Sequence, residues 1–114
     1  KHSFRAAEEV KWSDYDNHYQ VSFILSGVRS RLDYDRDGNI LRSIRYYDPS
    51  MLPLNILSKI RKNYSSKDLF GVTELMIADE LYYYVKMQDE KQWMTLKVDA
   101  MGNTEVYEKY KKKL

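Results

Sequence analysis

The carboxylates at positions 33, 35 and 37 have the spacing of a calcium-binding loop. The segment 33–40 (DYDRDGNI) matches the first eight positions of an EF-hand loop, including its glycine and the apolar residue that follows. The twelfth position, which must supply a bidentate glutamate, is Ile44. The flanking segments alternate like strands and not like helices. The sequence therefore predicts a tight turn here and no metal site.

Other residue types that carry chemistry are too scattered to form a site. His2 and His18 have neither helical nor hairpin spacing to each other, and neither has the paired spacing of a zinc site. No serine lies in a Gly-x-Ser-x-Gly elbow, and the four glycines form no phosphate-binding cluster. The carboxylate pairs Glu8–Glu9 and Asp89–Glu90 are expected on turns or exposed edges, without an apolar setting to raise a pKa. We therefore expect no enzyme, no catalytic residue, no bound cofactor and no metal.

Composition indicates one ordinary folded domain. The chain has 114 residues, and its 19 basic and 17 acidic side chains give a net charge of only +2. There is no cysteine, so disulfides and thiolate chemistry are excluded. Apolar runs are only a few residues long, so no membrane span is predicted. Tyrosine is unusually common, with 11 residues, and suits half-buried strands and binding surfaces alike.

A gapless internal alignment predicts the architecture. Residues 19–46 align on residues 83–110 with identities at Tyr19/Tyr83, Val21/Val85, Leu32/Leu96, Asp35/Asp99, Gly38/Gly102, Asn39/Asn103 and Tyr46/Tyr110. An Asp-x-x-Gly-Asn turn thus recurs at the same place in both copies, whereas two of the three loop carboxylates do not. This pattern predicts a duplicated supersecondary unit. We expect a single domain, 1–114, made of a partial repeat (1–48) and a second repeat of helix plus four strands (49–114).

Hydrophobic periodicity places one helix between two sets of strands. Apolar and polar residues alternate over 19–25, 28–34, 40–47, 72–78, 81–87, 93–98 and 104–110, with a further candidate strand over 9–13. From Pro53, expected at the first helical position, the residues Ile56, Leu57, Ile60 and Tyr64 recur at helical spacing. Phe4 and Ala6-Ala7 read as the tail of an equivalent, truncated first helix. The predicted fold class is α+β, an antiparallel sheet with a helix packed on one face.

Alternation also predicts a binding face on the other side of that sheet. We expect the helix to pack on one set of side chains, namely Tyr83, Val85, Met87, Met94, Leu96 and Val98. The opposite face would then carry aromatic and cationic residues: Tyr82, Tyr84, Trp93 and Lys97 from the second repeat, and Arg31, Arg45 and Tyr47 from the first. Such residues dominate protein-binding hot spots. The alternative is that these are cross-strand pairs that only stabilise a solvent-facing sheet.

Two basic sets raise the question of nucleic acid. One is the tail Lys109, Lys111, Lys112 and Lys113, and the other is Arg29, Arg31, Arg42 and Arg45. Stacking tyrosines among cations can bind single strands. The aromatic signatures of sheet-based RNA-binding proteins are missing, however, and the net charge is small. We therefore expect no nucleic-acid partner.

Several motifs make the chain resemble a known family. These are Val10-Lys11-Trp12, Tyr34-Asp35-x-Asp37-Gly38-Asn39, Arg45-Tyr46-Tyr47, Leu52-Pro53 and Phe70-Gly71-Val72-Thr73-Glu74. With them the chain resembles the PepSY-like proteins of Bacteroidetes, small secreted or periplasmic proteins whose fold is similar to that of the β-lactamase inhibitor protein (BLIP). The resemblance implies repeated units of a helix followed by a four-stranded antiparallel sheet, and an export signal upstream.

The resemblance also sets the functional expectation. It implies a periplasmic or secreted, non-enzymatic binding or inhibitory module whose open sheet face meets a protein partner in the cell envelope. It supplies no catalytic residues and does not make a lactamase the partner. The alternative from another class is a domain that holds a small ligand, peptide or glycan in the concavity of the sheet.

Overall fold

The computed structural model describes residues 7–113, which form one eight-stranded antiparallel sheet and one α-helix. Each strand pairs with its neighbours in sequence, in the order β1 to β8. The strands are β1 (Glu8–Asp14), β2 (Tyr19–Leu25), β3 (Val28–Tyr34), β4 (Ile40–Tyr47), β5 (Asp68–Ile77), β6 (Glu80–Gln88), β7 (Gln92–Asp99) and β8 (Thr104–Lys111). Between β4 and β5 lie a short 3-10 turn (Pro49–Met51) and the helix α1 (Leu54–Asn63). The predicted antiparallel sheet with one helix is confirmed.

The two Asp-x-x-Gly-Asn segments form turns with the same hydrogen bonds. The Oδ1 atoms of Asp35 and Asp99 each accept the backbone N–H groups two and four residues later, and Oδ2 accepts the asparagine side chain. Gly38 and Gly102 have φ of +89° and +91°, a conformation that glycine adopts without strain. The residues shared by the two segments are therefore those that the turn requires. A duplication as their origin stays a prediction.

Helix α1 packs through one stripe on the sheet. Ile56 and Ile60 are buried at 2% and 1% exposure, and Lys59 Nζ donates to the carbonyl of Gly102 at 2.6 Å. Pro53 precedes the helix as its N-cap, one position earlier than expected, and its carbonyl accepts the first helical hydrogen bonds. The Tyr64 N–H group donates to the Ile60 carbonyl at the other end.

The core lies between α1 and strands β5 to β7. It consists of Leu52, Ile56, Ile60, Val72, Tyr83, Val85, Met87, Met94, Leu96 and Val98. This cluster contains every residue that alternation placed against the helix. Phe4 and Ala6, expected in a truncated first helix, lie outside the described residues. Within residues 7–113, no helix is long and apolar enough to span a membrane.

The packing of α1 can be tested on the helix itself. We expect Ile60→Ala to lower the free energy of unfolding by about 2–5 kcal/mol, because it leaves a cavity against the sheet. Leu54→Ala is the matched control, since Leu54 is 77% exposed on the same helix and its loss should change stability by less than about 0.5 kcal/mol. Urea denaturation measures both. Equal losses in the two variants would contradict this packing.

Candidate binding face

Strand register divides the sheet into two faces. Side chains alternate along a strand, and directly paired residues of neighbouring strands point to the same side. Tyr83 and Val85 pack against α1, so Tyr82 and Tyr84 lie on the opposite side, which we call the open face. Lys97 pairs with Tyr84 and shares that face.

The register carries the open face across both halves of the sheet. Tyr82 pairs with Leu75, which pairs with Ile44, which pairs with Arg31. Arg31 therefore lies on the open face, as the sequence indicated. Trp93 lies four residues before Lys97 in β7, and residues an even number of positions apart in a strand share a face. Trp93 is therefore on the open face too. Five of the seven residues proposed for the binding face are thus on one side of the sheet.

Arg45 and Tyr47 are placed on the wrong face by the sequence prediction. Arg45 pairs with Glu74, which pairs with Tyr83 on the helix side. Tyr47 pairs with Val72 and packs against the core. Both therefore lie on the side of the sheet that carries α1.

A β-bulge explains the error. Tyr34 pairs with Ile40, but Asp33 pairs with Arg42, so Leu41 is an extra residue in β4. Uninterrupted alternation from Ile40 would have placed Arg45 on the open face, and the extra residue reverses this. Arg42, Ile44 and Tyr46 take the open positions instead.

The same effect occurs in β8. Leu96 pairs with Val106 and Thr95 pairs with Glu108, which leaves Tyr107 as the extra residue. Lys109, which regular alternation along β8 would place on the open face, consequently pairs with Met94 on the helix side. Tyr107 does reach the open face, where its ring meets that of Tyr84 edge-on, with 5.0 Å between centroids.

The displaced pair, Arg45 and Tyr47, forms a compact ion cluster with Glu74. The arginine binds the carboxylate through Nε and a terminal nitrogen at 2.7 and 2.9 Å, and the Tyr47 hydroxyl donates at 2.7 Å. Burial alone raises the pKa of Glu74, but the hydrogen bonds from Arg45 and Tyr47 and the arginine charge outweigh it, so the pKa lies below its usual value. This cluster joins β4 to β5, the seam between the two halves of the sheet.

A shallow depression of about 330 Å³ lies at the centre of the open face. Its lining combines aromatic and aliphatic side chains with a few polar ones: Ile44, Tyr46, Thr73, Leu75, Tyr84, Lys86, Thr95, Tyr107 and Glu108. Tyr46 and Tyr107 are 42% and 56% exposed. Of this lining, the predicted binding set contained only Tyr84. Ile44 and Tyr46 were the available signal in β4, but alternation without the bulge assigned them to the helix side.

The aromatic residues of the open face also contact side chains of neighbouring strands, both lysines and other rings. Lys97 Nζ lies 4.5 Å from the ring centroid of Tyr82. Trp93 meets Phe70 edge-on at 5.8 Å, and Lys112 Nζ lies 4.3 Å from its ring centroid. These are the cross-strand contacts expected of a stabilised sheet surface. Trp93 nevertheless remains 44% exposed, so it offers area to a partner.

The aspartates of the calcium-like segment are engaged in other roles. Asp33 is 1% exposed and accepts from Arg42, Gln20 and Arg31, whereas Asp35 caps its turn. Among residues 7–113, no three His, Asp or Glu side chains are grouped so that they could hold a metal ion. His18 Nδ1 lies 2.8 Å from the side chain of Asn17. His2 lies outside the described residues.

Comparison with solved structures identifies the fold. A BLIP-like protein from Bacteroides fragilis NCTC 9343 superposes with a TM-score of 0.68 at 17% identity, covering 93% of this chain and 76% of that one. A DUF2874 family protein from Bacteroides ovatus ATCC 8483 gives 0.69 at 14% identity, covering 95% and 79%. A protein from Bacteroides eggerthii DSM 20697, provisionally described as periplasmic, gives 0.68 at 13% identity, covering 95% and 80%.

This chain has the BLIP-like fold. Identities this low show a shared fold and carry no function with them. The sequence matches no family model and no curated protein. Membership of the PepSY-like family stays a prediction.

The ion cluster at the seam gives a pH-dependent prediction. We expect Glu74→Gln to lower the free energy of unfolding at neutral pH by about 1 kcal/mol, since it weakens hydrogen bonds to a partly solvated charged group. The pKa of Glu74 is lower in the folded than in the unfolded protein, where it is about 4.3. The Glu74 carboxylate therefore stabilises the folded protein above that pH, and this stabilisation is lost as the pH falls through the folded pKa.

Denaturation series at neutral and acidic pH measure this effect. The difference between wild type and Glu74→Gln should shrink as the pH falls below about 4. Glu108→Gln serves as the control, because Glu108 is exposed and makes no ion pair with any described residue. A Glu74→Gln difference that stays constant down to acidic pH would contradict the assignment.

Proposed function

We propose that this protein is a non-enzymatic, exported interaction module that recognises a protein partner through the open face of its sheet. The observation that carries the proposal is the exposed aromatic and aliphatic surface around the central depression, formed chiefly by Ile44, Tyr46, Tyr84 and Tyr107. Tyrosine offers a large contact area with little side-chain entropy to lose, which makes it effective at interfaces.

The extent of this surface favours a macromolecular partner. Aromatic residues continue beyond the depression along β6 and β7, to Tyr82 on one side and to Trp93 and Phe70 on the other. A small ligand in the depression would leave these rings uncovered. A protein surface of ordinary interface size would cover them together with the depression.

The sheet edges are less suitable for recognition. The edge strand β8 is exposed along its whole length, but it contains a bulge and four charged side chains, Glu105, Glu108, Lys109 and Lys111. The other edge strand, β1, also contains an irregularity, between Glu8 and Lys11. Such features discourage addition of a further strand. The open face is therefore the better candidate for a binding surface.

A small-ligand domain is the second candidate function. It is favoured by the volume of the depression, about 330 Å³, which is near the lower end of the range for ligand sites. Thr73, Thr95 and Lys86 would supply hydrogen bonds to a peptide or glycan. Such a ligand would bind the purified protein with no protein partner present.

Location in the periplasm or outside the cell is part of the proposal. It is supported by the fold, which is shared with a structure provisionally described as periplasmic. The proposed partner is accordingly a protein of the cell envelope, and no cofactor is required for this role.

Substitutions on the open face test the proposed function. We expect Tyr84→Ala combined with Tyr107→Ala to weaken capture of the envelope partner at least tenfold, the scale of loss of hot-spot residues. Quantitative pull-down from an envelope fraction of the source organism measures the loss. Circular dichroism must show that the variant is folded.

The control for this experiment is Leu54→Ala. It removes an apolar side chain that is even more exposed, on the helix side of the molecule. Partners that bind both variants and the wild type equally would contradict recognition by the open face. If the purified protein instead bound a small peptide or glycan, with a change in tryptophan fluorescence, the second candidate function would be supported.

A further inference from the structure

We propose that the partner presents a carboxylate-bearing segment to three arginines of the open face, Arg29, Arg31 and Arg42, with apolar side chains beside it in the central depression. This inference rests on the proposed function and adds the chemistry of the partner. We call the three residues the arginine cluster. They come from neighbouring strands, β3 and β4.

A buried carboxylate fixes two members of the cluster. Asp33 is 1% exposed, and its Oδ2 atom lies 2.5 Å from Arg42 Nε and 3.4 Å from a terminal nitrogen of Arg31. Gln20 Nε2 donates to Oδ1 of the same carboxylate at 3.0 Å. Asp33 thus holds the two guanidinium groups before any partner arrives. A site organised in advance loses less entropy on binding.

The cluster has more donors than acceptors. A guanidinium carries five N–H donors, and Asp33 occupies one nitrogen of each bound arginine. Arg31 Nε is buried without a hydrogen-bond partner. Arg29 makes no ion pair or hydrogen bond with any residue in 7–113. A second carboxylate would bind Arg29 and the terminal nitrogens of Arg31 and Arg42 that Asp33 leaves over, because guanidinium groups bind carboxylates in a paired geometry.

The balance of charge at the cluster favours an anion. Arg31 and Arg42 bind Asp33, and Lys11 lies two strand spacings from Arg31, across Ser22 of β2. Two carboxylates compete for Arg29: Glu8, two strand spacings away across Ile24, and Glu9, which lines the same small depression as Arg29 and Lys11. The arginine cluster and Lys11 thus carry four positive charges against the three carboxylates Asp33, Glu8 and Glu9. The middle of the cluster therefore keeps an excess of positive charge.

The cluster adjoins the apolar depression directly. Arg29 pairs with Tyr46, and Arg31 pairs with Ile44, both of which line the depression. An acidic side chain at the cluster and an apolar one in the depression would lie about one or two strand spacings apart, roughly 5–10 Å. Neighbouring residues of one protein segment span that distance. A polyphosphate chain would satisfy the arginines but would leave the apolar lining uncovered.

Selection from a random displayed peptide library tests the inference without knowledge of the partner. We expect recovered peptides to be enriched in Asp or Glu next to a large apolar residue. Fluorescence anisotropy then compares each peptide with its Asn or Gln counterpart. Replacement of the acids should weaken binding about tenfold or more, the effect of losing a charged pair at an interface.

Arg29→Glu is the informative variant, because it leaves the contacts of Asp33 intact. The variant should bind the acidic peptides at least about tenfold more weakly than the wild type, and its affinity for their Asn or Gln counterparts should change little. Lys62→Glu makes the same change of charge at an exposed position on α1 and should leave affinity unchanged. Thermal denaturation confirms that both variants are folded.

Three results would overturn the inference. If binding of the selected peptides required Tyr84 but not acidic residues, the role of the arginine cluster would be refuted and the proposed function would stand. Failure to recover any binder would count against both. Tighter binding of single-stranded DNA or anionic phosphatidylglycerol vesicles than of acidic peptides, abolished by Arg29→Glu, would assign the cluster to phosphate groups instead.

Discussion

Burial of one sheet face by α1 is the constraint on which the rest of the structure depends. The helix removes Val85, Leu96 and Met87 from water, and the period-two geometry of strands then determines where every neighbouring side chain points. A slip by one residue would bury Tyr84 and Lys97 in place of Tyr83 and Val98. The chemistry of the open face is thus a consequence of apolar packing on the other side.

The same reasoning shows which parts of the site were predictable from sequence. In β6 and β7 the alternation is regular, so Tyr82, Tyr84, Trp93 and Lys97 were placed correctly. In β4 and β8 one extra residue interrupts the alternation, and nothing in the local composition marks Leu41 or Tyr107 as that residue. A bulge depends on how a strand meets its partner, which the pattern of a single strand does not contain. The turn residues were easier to predict because Asp, Gly and Asn act locally.

The bulges also decide the character of the open face. In β4 the extra residue brings Ile44 and Tyr46 onto the open face, and in β8 it adds Glu108 to that face, next to Tyr107 and opposite Thr95. Regular strands would have exposed Ser43 and Arg45 there instead. The central depression therefore depends on two irregularities that disturb the pairing of the sheet by one residue each. Bulges commonly redirect side chains at functional surfaces in this way.

Two carboxylates with arginine partners lie on opposite faces and differ in what they leave unsatisfied. Glu74 accepts two hydrogen bonds from Arg45 and one from Tyr47. Both oxygens of its carboxylate therefore have donors. Asp33 instead binds two arginines through single nitrogens and leaves the Nε of Arg31 without a partner. The guanidinium groups of Arg31 and Arg42 therefore keep further N–H donors, since each carries five. The first arrangement is complete in the folded chain and stabilises the seam between β4 and β5. The second leaves arginine donors over for an anion, which is the physical reason for proposing recognition on the open face.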